Sequence, residues 1–349
     1  MTKRLFLSFL LILSLTATAS AQFRFTQNET DGERHLGGPR LGNSKNQIWR
    51  TGIVIESGAT MNSMQFGVPL PMNWREQRII SVNEDRMGAI LANQIQHVPH
   101  PAGGTEMRVQ LGAMRLTQPI EIVLEIELQN FELLPPDNPS QYIIPRQVPR
   151  DVGQYLQPTP YIESDNSTFR RMFNEITKDR QTDWDKVEAL YSFVRNNVRY
   201  NDVAWRNDVK GALSVIRQPQ GQWSADCKDM TCLFVALCRA GRIPARVVRV
   251  PGHCYAEFYL ELKQDTRARN LPRGAFPPGF WFPCQVAGDY AFGGIPEQRV
   301  ILQKGDSFPD PESSNFRGKT IWLKEYFMGE VAVGTPDPRF RWVRETLEK

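Results

Sequence analysis

Ala225-Asp226-Cys227-Lys228-Asp229-Met230 opens the stretch whose reading decides the fold, and it continues through Leu233, Phe234 and Leu237 to Gly241-Arg242-Ile243-Pro244-Ala245-Arg246. Apolar residues recur at helical spacing after Cys227. Gly241 stands where a helix C-terminus favours glycine, and Pro244 blocks any continuation. Asp226 and Asp229 suit a cap and a first turn. Cys227 therefore falls at the start of a helix, where unpaired N–H groups and the positive end of the dipole favour thiolate over thiol. Cys232 and Cys238, inside the apolar run, read as buried thiols.

Downstream, Val247 to Val250 reads as a strand, and Pro251-Gly252 as a turn. His253 to Leu262 alternates as a second strand and Phe280 to Val286 reads as a third. His253 is the only histidine in this half of the chain; His35, His97 and His100 lie far upstream. A cysteine at a helix start followed by a histidine at a strand start is a nucleophile–base order.

Upstream, Thr182-Asp183 opens a helix carrying Trp184, Val187, Leu190, Tyr191 and Val194. Ser164-Asp165 caps another, with Phe169, Met172, Phe173 and Ile176 on one face. Helices followed by antiparallel strands predict an α+β domain over 161–308. A Pro- and Gln-rich linker over 141–160 precedes it. Ile53-Val54-Ile55, Arg78 to Val82 and the alternating Ile120 to Leu128 give residues 46–140 the texture of an all-β, sandwich-like domain. Residues 22–45 are polar and Gly-rich and read as a flexible leader, and 309–349 form a C-terminal extension. Lys3-Arg4, the apolar run Leu5 to Leu15 and Ala19-Ser20-Ala21 make residues 1–21 a secretory signal peptide. The expected location is therefore exported, in the periplasm or outside the cell, with no membrane span after signal removal.

Composition excludes several classes. Losing Lys3 and Arg4 with the signal takes the net charge from +4 to +2. The remaining Lys and Arg are scattered, so no nucleic-acid partner is expected. The five cysteines are confined to the second half, which is not a disulfide scaffold. Cys227, Cys232 and Cys238 are five and six residues apart. That spacing scatters them around a helix, so no metal site and no cofactor are expected.

The Cys segment resembles the Cys motif of the transglutaminase-like superfamily. His253-Cys254-Tyr255-Ala256-Glu257-Phe258-Tyr259-Leu260 is similar to its His motif, and Trp281-Phe282-Pro283 to its Trp-containing strand. The helix ending Val194-Arg195-Asn196-Asn197-Val198-Arg199-Tyr200 also fits. The resemblance implies a papain-like core with a Cys-His-Asp triad. This sequence departs at the third member, where Gln285 stands in place of Asp. The implied register sets His253 opposite Gln285, whose amide oxygen can accept the Nδ1–H of the ring. Cys254 and Cys284 would then face each other, as a cross-strand disulfide or as two independent buried thiols. Asp289 is a backup orienter or a turn residue, and Arg246 pairs within the core. For the oxyanion, the candidates are the Cys227 N–H and an upstream side chain, Gln222 or Trp223; Trp223 reads equally as a lid. The implied activity is acyl transfer from a protein or peptide substrate through a Cys227 thioester, hydrolysis favoured over crosslinking. The alternative is a weak or inactive binding module that retains the cleft.

Overall fold

The computed structural model describes residues 37–83, 94–202, 208–263, 278–313 and 318–349. The signal peptide expected over 1–21 lies outside these residues.

The architecture is α+β, a β-rich first part followed by a helix-and-sheet core. Among the described residues, the strands that organise it are β1 Arg40–Ile55, β2 Thr60–Leu70, β3 Gln77–Asn83, β4 Ile95–His100, β5 Gly104–Leu111, β6 Ile120–Leu134, β7 Ala245–Val250, β8 His253–Leu262, β9 Gly279–Gln285, β10 Ala291–Phe292, β11 Gln303–Lys304, β12 Tyr326–Val331 and β13 Phe340–Glu348. The helices that bear on the site are α1 Ser167–Thr177, α2 Asp183–Asn197, α3 Ala212–Ile216 and α4 Cys227–Ala240.

In the first part, β13-β1-β6-β3 form one antiparallel sheet. It faces the β4, β5, β2 and β12 portion of a second sheet. Alternating inward residues from both, among them Trp49, Ile53, Met64, Phe66, Met107, Ile122 and Ile126, fill the space between as one apolar cluster. The structure departs here from boundaries drawn on composition. β1 begins at Arg40, inside the stretch read as leader, and its first residues pair with β6 alone before β13 joins at Gln47. The extension 309–349 supplies β12 and β13, which complete both sheets of the sandwich. The segment 141–160 is also folded: Tyr142-Ile143 pairs with the end of β8, and Tyr142 and Tyr155 are buried.

The second sheet runs without a break from the sandwich into the helical part. Its bridge is β11, which pairs with β7 on one side and β5 on the other. The approach is so close that a Cβ on Gly305 (φ 146°) would lie 1.6 Å from the Ala102 carbonyl, so only glycine fits. A buried ionic chain crosses the same junction. Lys304 Nζ reaches Glu76 (2.5 Å) and Glu257 (2.7 Å), and Glu257 binds Arg246 (2.7 Å), whose guanidinium lies 3.9 Å from the centre of the Trp281 ring.

All fourteen residues of α4 are buried, enclosed by α1, α2 and α3 and by the face of β7 and β8. An enclosed helix needs partners for its charges, and it has them. Arg239 pairs with Asp306 at 2.6 Å and also donates to the Ala245 carbonyl, and Lys228 pairs with Asp226 at 3.1 Å. α2 starts at Thr182 with a full capping box to Asp185. α1 is capped by Asn166 rather than by Ser164 or Asp165. Asn166 immediately precedes the helix, one residue past Asp165, and its side chain accepts the Thr168 N–H.

Candidate active site

Three elements converge on one point. α4 delivers Cys227 as its first residue, with Asp226 as N-cap. The Asp226 carboxylate takes the N–H groups of Lys228 and Asp229 at 2.9 and 3.1 Å, leaving the Cys227 amide outside the cap. That amide stays the oxyanion candidate on the main chain. Asp229 in turn accepts from the Lys210 and Gly211 amides (both 2.9 Å), tying the preceding loop to the helix start.

His253 is delivered by the two-residue turn Pro251-Gly252 between β7 and β8, in which Gly252 has φ 70°. Its Nε2 lies 3.0 Å from Gln285 Oε1. Gln285 closes β9. Its amide nitrogen donates to the Asp289 carbonyl and to Glu297 Oε1, both at 3.3 Å. Two groups that can only accept thus hold the nitrogen side of the amide, and Oε1 is turned to the ring. A carbonyl oxygen accepts but cannot donate, so the proton of a neutral His253 sits on Nε2 and Nδ1 is the basic nitrogen. The expected contact through Nδ1 is corrected on this point. Arg195 of α2 steadies the arrangement by donating to the Gln285 carbonyl at 3.0 Å and the Asp289 carbonyl at 3.4 Å. Asp289 takes part through its backbone; its carboxylate is not the orienting group.

The Cys227 thiol is buried, yet it is pulled down from 9.0 to about 6. The largest cause is a hydrogen bond with Cys254. A hydrogen bond to His253 and its charge act in the same direction, while burial and the Asp226 carboxylate oppose them. Cys254 is held in place by Thr231, one helical turn past Cys227, at 3.7 Å. Burial pushes the thiols of Cys254, Cys232, Cys238 and Cys284 up instead. One thiol of five is therefore poised to ionise near neutral pH.

Of the two readings for Cys254 and Cys284, the structure has the second, two independent buried thiols. In the observed register Cys284 lies opposite Ala256, two residues from the implied alignment, and all five cysteines are free thiols. A shift of two keeps every side chain on its face. That is why His253 and Gln285 still meet, diagonally, while the two cysteines do not pair.

Of the side chains offered for the oxyanion, one is engaged elsewhere and the other is exposed. The Trp223 indole N–H is already donated to the Gln218 carbonyl at 3.1 Å, and its ring packs on Phe193. Gln222 lies exposed in the loop before the helix. Tyr200, paired in register with Ala225 and half exposed, lies near enough to Cys227 for the thiolate to push its phenol up, second to burial. Sequence reading gave no site role to Tyr200 or Glu297, and read Cys254 only against Cys284. Tyr200 and Cys254 stood inside quoted motifs. Glu297 lies twelve residues past Gln285 in an irregular stretch, where no periodicity marks it. Beside the helix start a polar recess of about 350 Å³ opens, lined by Asn201, Lys210, Gln218 and Ser224. Among the described residues no group of three His, Cys, Asp or Glu is placed to hold a metal ion, and no helix is long and apolar enough to cross a membrane.

Residues 170–285 match the family model of the Transglutaminase-like superfamily, a span that takes in α1, α2, Cys227, His253 and Gln285. The match is confined to that part of the chain. A solved protein from Cytophaga hutchinsonii, proposed to be a cysteine protease, superposes with a TM-score of 0.55 over 88% of this chain and 92% of its own, at 15% identity. This is a likeness of fold. In sequence, an uncharacterised protein of Haemophilus influenzae is 26% identical over 231 residues, 64% of this chain. The chain spans 57% of that relative's length.

Proposed function

We propose that this chain is an exported cysteine enzyme that cleaves or transfers acyl groups of peptide or amide bonds through a Cys227 thioester, with water as the usual acceptor. The observation that carries this reading is the Cys227 thiol held at about 6 beside a histidine whose tautomer leaves Nδ1 free to act.

The chemistry follows from the geometry. The Cys227 thiolate attacks the carbonyl carbon and a C–S bond forms, with charge developing on the carbonyl oxygen near the helix start. The tetrahedral adduct collapses as His253 gives a proton from Nδ1 to the departing amine and the C–N bond breaks. His253, now neutral, takes a proton from water as its oxygen attacks the thioester. Acid and thiolate are released, and His253 is protonated again. An amine in place of that water gives crosslinking by the same steps.

Gln285 lacks the carboxylate that stabilises imidazolium in a triad with Asp. The thiolate itself is the counter-charge in the resting ion pair, so an amide suffices to orient the ring.

The test is to incubate the mature protein with mixed peptides, with and without a primary amine, and to look for an acyl adduct on Cys227 by mass spectrometry. The reading expects such an adduct, lost in Cys227→Ala and discharged by water or amine. A binding module would show retained peptide and no adduct at any pH, and that result would overturn the enzymatic reading.

A further inference from the structure

We propose that Glu297 is a positioning residue of this site: it fixes the orientation of the Gln285 amide, and through it the tautomer of His253, and it supplies at one remove the negative charge that an Asp would place directly on the ring. The inference rests on the reading of Cys227 and His253 as a reacting pair.

Gln285 is ambiguous on its own, since rotating its amide by half a turn exchanges an acceptor for a donor. With the nitrogen toward His253, Nε2 would have to accept, the proton would move to Nδ1, and the nitrogen facing Cys227 would no longer be basic. The flip is blocked because both partners of the amide nitrogen, the Asp289 carbonyl and Glu297 Oε1, can only accept. Gly288 adds to this: a Cβ there would stand 3.2 Å from the amide nitrogen, so the turn closes directly over it. Of the two acceptors only Glu297 carries charge. Its other oxygen binds Arg299 Nε at 2.7 Å, which aims the carboxylate and partly neutralises it.

The charged and titratable groups around this chain are few. Arg195 of α2 acts on the Gln285 and Asp289 carbonyls, and His253 bonds Cys227, which Cys254 and Asp226 also influence. Glu76 and Tyr255 share a small cavity with Glu297 and Arg299. None of the six replaces Glu297 as the acceptor of the Gln285 amide.

The experiment is the pH profile of Cys227 alkylation by iodoacetamide in full-length wild type, Glu297→Gln and Arg299→Gln, with nitrogen-15 NMR of His253 to read the tautomer. Glu297→Gln should lower the pH at which the His253 ring gives up its imidazolium proton in the nitrogen-15 spectra by about half a unit to one unit, because a charge favouring imidazolium is removed. Arg299→Gln should raise that pH, because the carboxylate is less neutralised. Neutral His253 should be the Nε2–H form in wild type and a mixture in Glu297→Gln. A purely structural role would move both variants together or neither, and either result overturns the proposal. If wild-type Cys227 itself alkylates as an ordinary thiol, the reading of the site as an enzyme fails instead.

Discussion

Cys227 owes its acidity to neighbours as well as to the helix start. The Cys254 thiol is the largest single influence on it, ahead of His253. Cys254→Ala should therefore move the rise of alkylation rate from about pH 6 toward the ordinary thiol range, while Cys254→Ser, which keeps a donor, should leave it nearly in place. The sign is fixed by the thiolate being the reactive form: a donor to sulfur favours it, so losing the donor raises the pH at which it appears. Gln285→Ala removes a hydrogen bond to the ring. Bonds to charged groups contribute about 1.5–3 kcal/mol, so turnover or alkylation near pH 7 should fall by about ten- to a hundredfold. At this scale the sequence exposed the nucleophile and base, because Asp226-Cys227 and Pro251-Gly252-His253 are local signals. It could not show Glu297 or the Cys254 contact, which exist only once a turn and a helix are packed together.

The elements that aim these residues are short and specific. The turn that presents His253 needs a left-handed residue at 252, and a Cβ there would meet no atom within 4 Å. Gly252→Ala should then cost the backbone term alone, about 1–2 kcal/mol, seen as a lower urea midpoint with an unchanged slope. α4 was legible from its apolar spacing, its Asp226 cap and Gly241. Its complete burial was not, since Lys228, Asp229 and Arg239 look like a solvated face until their partners at Asp226, the Gly211 loop and Asp306 are in place. The strand register was misjudged by two residues, an error that parity hides, because the same faces meet either way.

Across the whole molecule the two parts share one sheet, joined at β11 and locked by Lys304 between Glu76 and Glu257. Lys304→Met removes a cation shared by two buried carboxylates, so it should destabilise the protein by about 3–5 kcal/mol. Urea unfolding should lose one cooperative transition shared by both parts, or show it split in two. Nothing local announced this union. β11 is two residues long, and β12 and β13 lie roughly 260 to 300 residues from the strands they pair with. A sequence reading organised by composition places boundaries where the texture changes, whereas pairing between distant strands ignores texture. The consequence for the site is rigidity: β7 and β8, which carry His253, continue the sheet of the sandwich through β11.

The central claim is that Cys227 and His253 form a reacting thiolate–imidazolium pair. Iodoacetamide labelling of the protein from pH 4 to 9, located by mass spectrometry and repeated in His253→Ala, tests it most directly. Fast labelling confined to Cys227, rising through about pH 6 and slowed in the variant, is the expected result. Labelling of Cys227 no faster than an ordinary thiol, or unaffected by loss of His253, would contradict it.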